Sequence, residues 1–343
     1  MMQTLNILHT ISVRWWNACA YYAVIIAKGL QDLNHNVQLF SDKDSPPYNY
    51  ANNNKLNAKA FNFSSLQPFN FFRNYFSIKS KIKKEKIQIV NCHRPEDHLI
   101  MGIICKKLGI PLVRTVGDIR PPAENFFNKW LHLKATDYFI FASESNRIRF
   151  VSVWPEIMEK STIIFGGLNL DLFKPGKKSE KLLKQLHINS DTKIVGYVGR
   201  LSKTKDLPTF IRTAAMVKAS LPEVKFLISG KEFSVYREEI KSLADSLNLT
   251  DSLLFLDIHD PVRDVISLID VGIISSYDSE AISRIGMEYL SMGKPVVATD
   301  VNVLPEIIEN GKNGFITNTE DPYSMAEAVI KLLQNAFDLC YGN

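Results

Sequence analysis

Short apolar runs alternate with amphipathic stretches along the whole chain. In the first half the runs that read as strands are Leu5–Leu8, Val37–Phe40, Ile87–Asn91, Pro111–Thr115, Tyr138–Ala142 and Thr162–Phe165. The second half offers Lys193–Val198, Val224–Ser229, Leu253–Leu256, Val271–Ser275, Pro295–Thr299 and Gly314–Thr317. Helical patterns fall between most of them, for example Ala20–Leu33 and Leu207–Ser220. Strands buried on both faces read as near-continuous apolar runs, and their alternation with helices predicts an α/β fold of parallel sheets covered on both sides. The polar, asparagine-rich stretch from Asn49 to Asn62 predicts a surface loop.

The pattern breaks near Gly166-Gly167-Leu-Asn-Leu-Asp171-Leu-Phe173-Lys-Pro175-Gly176, where glycine, proline and polar residues cluster before a new helix-then-strand series. Two Rossmann-like domains are expected, residues 1–174 and 175–343. Two such halves joined by one linker leave a cleft that the carboxyl ends of both sheets can face.

A chain of 343 residues is long enough to bury two cores, and 45% hydrophobic with 22% charged residues is ordinary for a globular protein. Cys19, Cys92, Cys105 and Cys340 lie far apart, without metal-ligand or disulfide-framework spacing, and read as reduced thiols. A strand-like run begins at Leu5, which predicts no signal peptide, and the uncharged stretch between Arg14 and Lys28 is too short to span a bilayer. A cytoplasmic protein is expected. The net charge of +5 is modest, but Lys79, Lys81, Lys83, Lys84 and Lys86 crowd together just after the aromatic run from Phe61 to Phe76. One reading is a helix with a solvated basic face whose phenylalanines enter the core. The other is a surface that meets anionic lipid, possible at the inner face of a membrane. No recognition fold extends the basic block, which argues against nucleic acid.

Two constellations carry chemistry. In Gly196-Tyr-Val-Gly199-Arg200-Leu-Ser-Lys-Thr-Lys205-Asp-Leu-Pro208 a buried strand opens into a loop with two cations before a helix begins. Cations at the carboxyl end of a strand are suited to neutralise a diphosphate, although a solvated loop would carry them too. In Ser275-Ser-Tyr-Asp-Ser-Glu280-Ala-Ile-Ser283-Arg284-Ile-Gly-Met-Glu288 a strand leads through a polar loop to a helix expected from Ser283 to Met292, closed by Gly293. The free N–H groups at such a helix start suit a phosphate, and a glutamate can accept from both hydroxyls of a ribose. Alone, this spacing also describes an ordinary surface helix. Weaker signals are Asp42-Lys-Asp44, a metal-binding spacing without the matching context, and His9, His93 and His98 near strand ends. No Gly-x-Ser-x-Gly elbow, P-loop or Gly-x-Gly-x-x-Gly fingerprint is present.

Together with Gly293-Lys-Pro-Val-Val-Ala-Thr-Asp300 and Leu304-Pro-Glu306…Gly314, these segments resemble the family-4 retaining glycosyltransferases of the GT-B fold. The match is specific from about residue 160 to 318 and looser before. The resemblance implies that Arg200 and Lys205 bind the donor diphosphate, Glu288 the ribose and Glu280 the transferred sugar, with Gly199, Ser283 and Arg284 in the same donor-binding set. It also implies no metal and no cofactor, the nucleotide-diphosphate sugar being a substrate. The implied acceptor is a glycan or glycolipid. In the first half, Arg14-Trp15-Trp16-Asn17-Ala18, His93-Arg94-Pro95-Glu96-Asp97-His98 and Arg114-Thr115-Val-Gly117-Asp118-Ile-Arg120 look closest to enzymes of lipopolysaccharide or capsule assembly. Two departures stand out. Many members of the family have a Gly-Gly pair in the first loop, near where Asn17-Ala18 stands here, and Gly117 stands where many carry a histidine, so the usual contact to the sugar is either lost or supplied by His93, Asp118 or Arg120. The stretch from Leu333 to Asn343 leaves little room for the family's last helix. A nucleotide-sugar epimerase or phosphorylase on the same fold, or a non-catalytic nucleotide-sugar-binding protein, are the alternatives.

Overall fold

The computed structural model describes residues 3–63, 68–230, 234–256, 261–278 and 280–334. The end of the chain that bears on the family's last helix, from residue 335 on, lies outside them. The chain divides into two compact units, Met1–Gly167 and Leu168–Asn343, and the segment read as closing the first domain straddles that division.

The first unit is a parallel sheet of β1 (Asn6–Ile11), β2 (Asn36–Ser41), β3 (Asn57–Ala60), β4 (Ile89–Cys92), β5 (Leu112–Val116), β6 (Tyr138–Phe141) and β7 (Ser161–Ile163), in the order β3-β2-β1-β4-β5-β6-β7. Its helices are α1 (Ala18–Asp32), α2 (Pro46–Asn53), α3 (Pro68–Lys84), α4 (Pro95–Leu108), α5 (Phe126–Trp130) and α6 (Glu144–Val151). The stretch read as a surface loop is a correction: it holds part of α2 and the edge strand β3, paired only to β2. Its sequence, Asn-Ala-Lys-Ala, carries no large apolar side chain to announce a strand.

The two readings of the aromatic run each hold in part: Phe63 is buried in the first unit's core with Phe61 and Phe71 packed against it, while α3 turns other phenylalanines outward. Tyr75, Ile78 and Ile82 pack into the core, but Phe69, Phe72 and Phe76 are 76%, 60% and 64% exposed. These three lie at i, i+3 and i+7 on the outer face, and the same stripe continues into Lys79 and Lys83.

The second unit is a parallel sheet of β8 (Ile194–Val198), β9 (Lys225–Ser229), β10 (Leu253–Leu256), β11 (Val271–Ile274), β12 (Val296–Thr299) and β13 (Gly314–Thr317), in the order β10-β9-β8-β11-β12-β13. Its helices are α7 (Glu180–Leu186), α8 (Leu207–Ser220), α9 (Ser234–Ser246), α10 (Val262–Leu268), α11 (Arg284–Ser291), α12 (Leu304–Ile307) and α13 (Pro322–Gln334). Helix α11 is seated by a glycine. A Cβ on Gly272 of β11 would lie 2.6 Å from the Tyr289 ring, so only glycine lets that ring reach the sheet. The Tyr289 hydroxyl then donates to the Gly196 carbonyl at 3.2 Å.

Candidate functional site

The second sheet reverses its order between β8 and β11. In open parallel sheets ligands bind outside the carboxyl ends of the strands at such a reversal. Both sequence constellations leave the sheet there, one after β8 and the other after β11.

After β8, the Gly199 N–H donates to the Ser229 carbonyl at 2.9 Å, and the Tyr197 hydroxyl donates to the Arg200 carbonyl at 2.8 Å. The loop is therefore pinned at the point where Arg200 leaves the sheet. Arg200 itself is exposed and forms no ion pair among the described residues. A turn of 3₁₀ helix, Lys203–Lys205, follows, and Asp206 at φ 45° caps α8 by accepting from the Thr209 N–H at 3.3 Å. The two loops are laced together. The Ser275 hydroxyl donates to the Lys205 carbonyl at 2.9 Å, and the Tyr277 N–H to the Thr204 carbonyl at 3.2 Å.

This lacing brings Lys205 and Glu280 into contact. Lys205 Nζ is ion-paired with Glu280 Oε1, and the Ser276 hydroxyl donates to the same oxygen at 2.7 Å. Thr299 at the end of β12 donates to the Ser276 carbonyl at 2.5 Å, so Glu280 is held from a neighbouring strand. Residue 279, between them in the chain, lies outside the described residues.

Helix α11 starts one residue later than expected, with Ser283 as its cap at φ 45°. The Ser283 hydroxyl is buried and has no hydrogen-bond partner among the described residues. A buried polar atom without a partner is costly, and here it sits beside the free N–H groups of a helix start. One turn on, Glu288 is buried and paired with Arg284, Nε to Oε1 at 2.6 Å. Burial pushes the Glu288 carboxyl above the usual range, and the Arg284 charge opposes that shift.

The first unit also reverses its strand order, between β1 and β4. Arg94 follows β4 there, and pairs with Asp118 from the loop after β5 at 2.5 Å. His93 is elsewhere in character: it is 3% exposed, with its Nε2 3.0 Å from His9 Nδ1 and the two rings stacked. Burial drives the His93 pKa well below its ordinary value and that of His9 down to about 4. Both rings are neutral packing partners, not groups lining an open loop. His98 is likewise internal, with Nε2 2.8 Å from the Thr136 hydroxyl. At Gly117 the carbonyl accepts from the Cys19 thiol at 3.1 Å, and Arg120 is exposed. Asn17 caps α1 by accepting from the Ala20 N–H at 2.9 Å.

The carboxylate of Asp42 accepts from the Ser12 hydroxyl at 2.7 Å and from the Phe63 N–H at 2.9 Å, so both oxygens serve the loop. Among the described residues no group of three or more metal-ligating side chains comes together.

Sequence reasoning overlooked two residues. Ser276 is signalled only by its place four residues before Glu280 at a strand end. Gly230 is a close-approach glycine: its Cβ would lie 1.9 Å from the Gly199 carbonyl oxygen, so any side chain would displace the root of the Arg200 loop.

Residues 178–340 match the family model of the glycosyl transferases group 1, and residues 20–172 that of Glycosyltransferase Family 4. A D-inositol 3-phosphate glycosyltransferase of Thermobifida fusca is 24% identical over 253 residues, 67% of this chain and 58% of that protein, which is under two thirds of its length. Among solved structures, Alr3699/HepE of Anabaena in complex with UDP superposes with a TM-score of 0.86 at 19% identity, covering 98% of this chain and 92% of that one. The same protein was also solved with UDP-glucose, at a TM-score of 0.81. A glycosyltransferase of Rickettsia africae gives a TM-score of 0.85 at 20% identity, covering 98% of this chain and 89% of that one. At these identities the structural likenesses carry the fold.

Proposed function

This chain is a family-4 glycosyltransferase of the GT-B fold, each unit matching one of the two domain families, and on that premise we propose that it transfers a sugar from a nucleoside-diphosphate sugar to a hydroxyl of a glycan or glycolipid, with retention at the anomeric carbon. The observation that carries the reading is the meeting of Lys205 and Glu280 across the β8/β11 reversal, beside the buried, unpartnered Ser283 hydroxyl. Arg200, Lys205 and the α11 N-terminus suit a diphosphate, first bound and then departing with its charge. Gly199 lies at the root of the Arg200 loop, where an added Cβ would meet the Tyr197 hydroxyl at 3.0 Å. Glu288, fixed by Arg284, suits the ribose diol. Glu280 suits the transferred sugar, where a carboxylate stabilises positive charge as the glycosidic bond breaks. The protein cations would neutralise the leaving group without a metal ion. The UDP and UDP-glucose bound to the Anabaena protein favour a uridine nucleotide as donor.

No helix of the described residues is long and apolar enough to cross a membrane. The outer face of α3 suits peripheral contact with an anionic bilayer, three exposed phenylalanines leading into Lys79 and Lys83. That surface fits an enzyme of cell-surface polysaccharide or lipopolysaccharide assembly, whose acceptor is carried on lipid.

The test is to incubate the chain with nucleoside-diphosphate sugars and lipid-linked or free glycans, and to follow product by mass spectrometry and anomeric configuration by proton NMR. A new glycosidic bond of retained configuration is expected. Release of an epimerised nucleotide sugar, or nucleotide binding without any turnover across the panel, would overturn the transferase reading.

A further inference from the structure

Between β11 and α11 no strand or helix holds the described residues, and buried hydroxyl groups take over that task. Ser275 and Ser276, the first two residues beyond β11, are both fully buried. They serve different partners. The Ser275 hydroxyl donates to the Lys205 carbonyl at 2.9 Å, and the Ser276 hydroxyl to Glu280 Oε1 at 2.7 Å. Support for the second contact comes from β12. Thr299, at its end and also fully buried, donates its hydroxyl proton to the Ser276 carbonyl at 2.5 Å, while the Ile274 carbonyl of β11 lies farther off at 3.4 Å. The chain just after β12 adds a second tie, the Val303 N–H donating to the carbonyl of Glu280 itself at 3.2 Å.

The grip on Glu280 is one-sided. The hydrogen bonds from Lys205 Nζ and from the Ser276 hydroxyl both end on Oε1, and Oε2 accepts none among the described residues. A carboxylate has acceptor sites on both oxygens, so two donors on one of them fix the plane of the group and leave the other for a substrate. The two donors also differ in kind. Lys205 reaches Oε1 through a long flexible stem, whereas Ser276 does so through a single rotatable bond from a backbone that Thr299 holds.

We propose that Ser276 and Thr299 are positioning residues of the transfer step: Thr299 fixes Ser276, Ser276 fixes Oε1, and Glu280 meets the transferred sugar through Oε2. Both hydroxyls are buried, so they act through Glu280 and not on the substrate. A reacting group misplaced by about 1 Å loses up to ~10²-fold in rate, so the groups behind a carboxylate matter to the chemistry without touching it. The inference rests on the transferase reading for the identity of the step, but the grip on Glu280 is tested without turnover.

In the full chain, turnover is measured over the nucleotide-sugar panel and affinity by calorimetry with UDP. The Glu280 carboxyl is followed by carbon-13 NMR, its resonance assigned by its absence in Glu280→Gln. Ser276→Ala and Thr299→Val are each expected to lower kcat about tenfold while donor KM and UDP affinity stay within about twofold. Thr299→Ser keeps the donor hydroxyl and should recover most of the loss. Ser276→Ala and Thr299→Val should both move the Glu280 resonance. Neither should add to the loss in Glu280→Gln, because residues that act through one group are not additive. Ser276→Ala, which removes a single oxygen, carries the same test should Thr299→Val fold poorly. An unmoved resonance, or losses that add to that of Glu280→Gln, would overturn the proposal. Weakened UDP binding with kcat intact would overturn it as well, by making the hydroxyls part of nucleotide binding. A moved resonance in a chain that turns over no nucleotide sugar would sustain the grip on Glu280 and sink the transferase reading.

Discussion

Lys205 and Glu280, separated by 75 residues in the chain, neutralise each other at the carboxyl ends of two adjacent strands. Their side chains are 18% and 4% exposed, so each stands in for the solvent the other has lost. Arg200, from the same loop as Lys205, has no such duty and projects into solvent.

The difference predicts different phenotypes for two cations to which the proposed reading gives one task. Arg200→Ala should cost about 2–4 kcal/mol in kcat/KM. Its unfolding free energy should stay within about 0.5 kcal/mol of wild type, since an exposed side chain is removed. Lys205→Ala should lose comparable activity and in addition about 3 kcal/mol of stability, because a buried carboxylate is left without its cation. Kinetics and denaturant unfolding on both variants check this. Equal stabilities would mean that the Lys205–Glu280 pair contributes nothing to the fold.

Glu280 and Glu288 are both buried and both paired, yet should fail differently. On the proposed reading Glu288→Ala removes a contact to ribose hydroxyls that do not change during reaction, so donor KM should rise more than kcat falls. Glu280→Ala should lower kcat by roughly 10²–10³ while calorimetric affinity for UDP alone changes little. Reversed phenotypes would require the donor to lie the other way round at the site.

The alternation of apolar runs located every strand but one, and Leu253–Leu256 and Gly314–Thr317 are observed with the expected bounds. The exception, Asn57–Ala60, is held by backbone hydrogen bonds to β2 at the sheet edge and has no apolar pattern to read. Composition left two readings open at α3, where periodicity separates the exposed Phe69, Phe72 and Phe76 from the buried Tyr75, Ile78 and Ile82. The place of Arg200, Lys205, Glu280 and Glu288 at the strand ends was legible because each follows a strand in a short motif. Their pairing was not. Only the parallel neighbourhood of β8 and β11 reveals that Lys205 meets Glu280, or that Ser276 orients it. The burial of His93 was hidden for a similar reason, since its partner His9 comes from another strand.

Activity should survive EDTA, because on the proposed reading the charge that faces the departing diphosphate comes from Arg200, Lys205 and the α11 N-terminus. Asp42, the metal candidate in the sequence, already spends both carboxylate oxygens on loop hydrogen bonds. Complete loss of turnover on chelation with rescue by Mn²⁺ would overturn this.

The outer face of α3 makes a prediction independent of catalysis. Phe72→Ser with Phe76→Ser should leave thermal stability within the range of surface changes, since both rings are exposed. Co-sedimentation with phosphatidylglycerol vesicles should drop, and binding by the wild-type chain should weaken as salt rises toward 0.5 M. Unchanged vesicle binding in the double variant would assign the basic cluster to ordinary solvation.

The last prediction concerns Asp97, which lies wholly inside the first unit beneath the Arg94–Asp118 pair. Its Oδ2 accepts from the Thr10 hydroxyl at 2.5 Å and its Oδ1 from the Arg94 N–H at 2.8 Å, closing the start of α4. Burial raises its pKa from 3.8 to about 7, with Arg114 and the hydrogen bonds opposing the shift. The folded state thus holds the proton more tightly than the unfolded chain does. The stability this contributes is fully present below the unfolded value near 3.8 and is lost as pH rises through about 7. The buried histidines act in the opposite sense. His9 and His132, both lowered to about 4 chiefly by burial, contribute stability above 6.5 that is lost as pH falls. A wild-type profile mixes these slopes, so the difference between wild type and Asp97→Asn isolates the aspartate. Asparagine resembles the protonated acid, and its carbonyl oxygen can still accept from the Arg94 N–H. Measured by urea unfolding, the variant should gain on wild type by a few kcal/mol between pH 4 and 8, with the change concentrated below pH 7. A difference independent of pH would show that Asp97 titrates alike in the folded and unfolded chain.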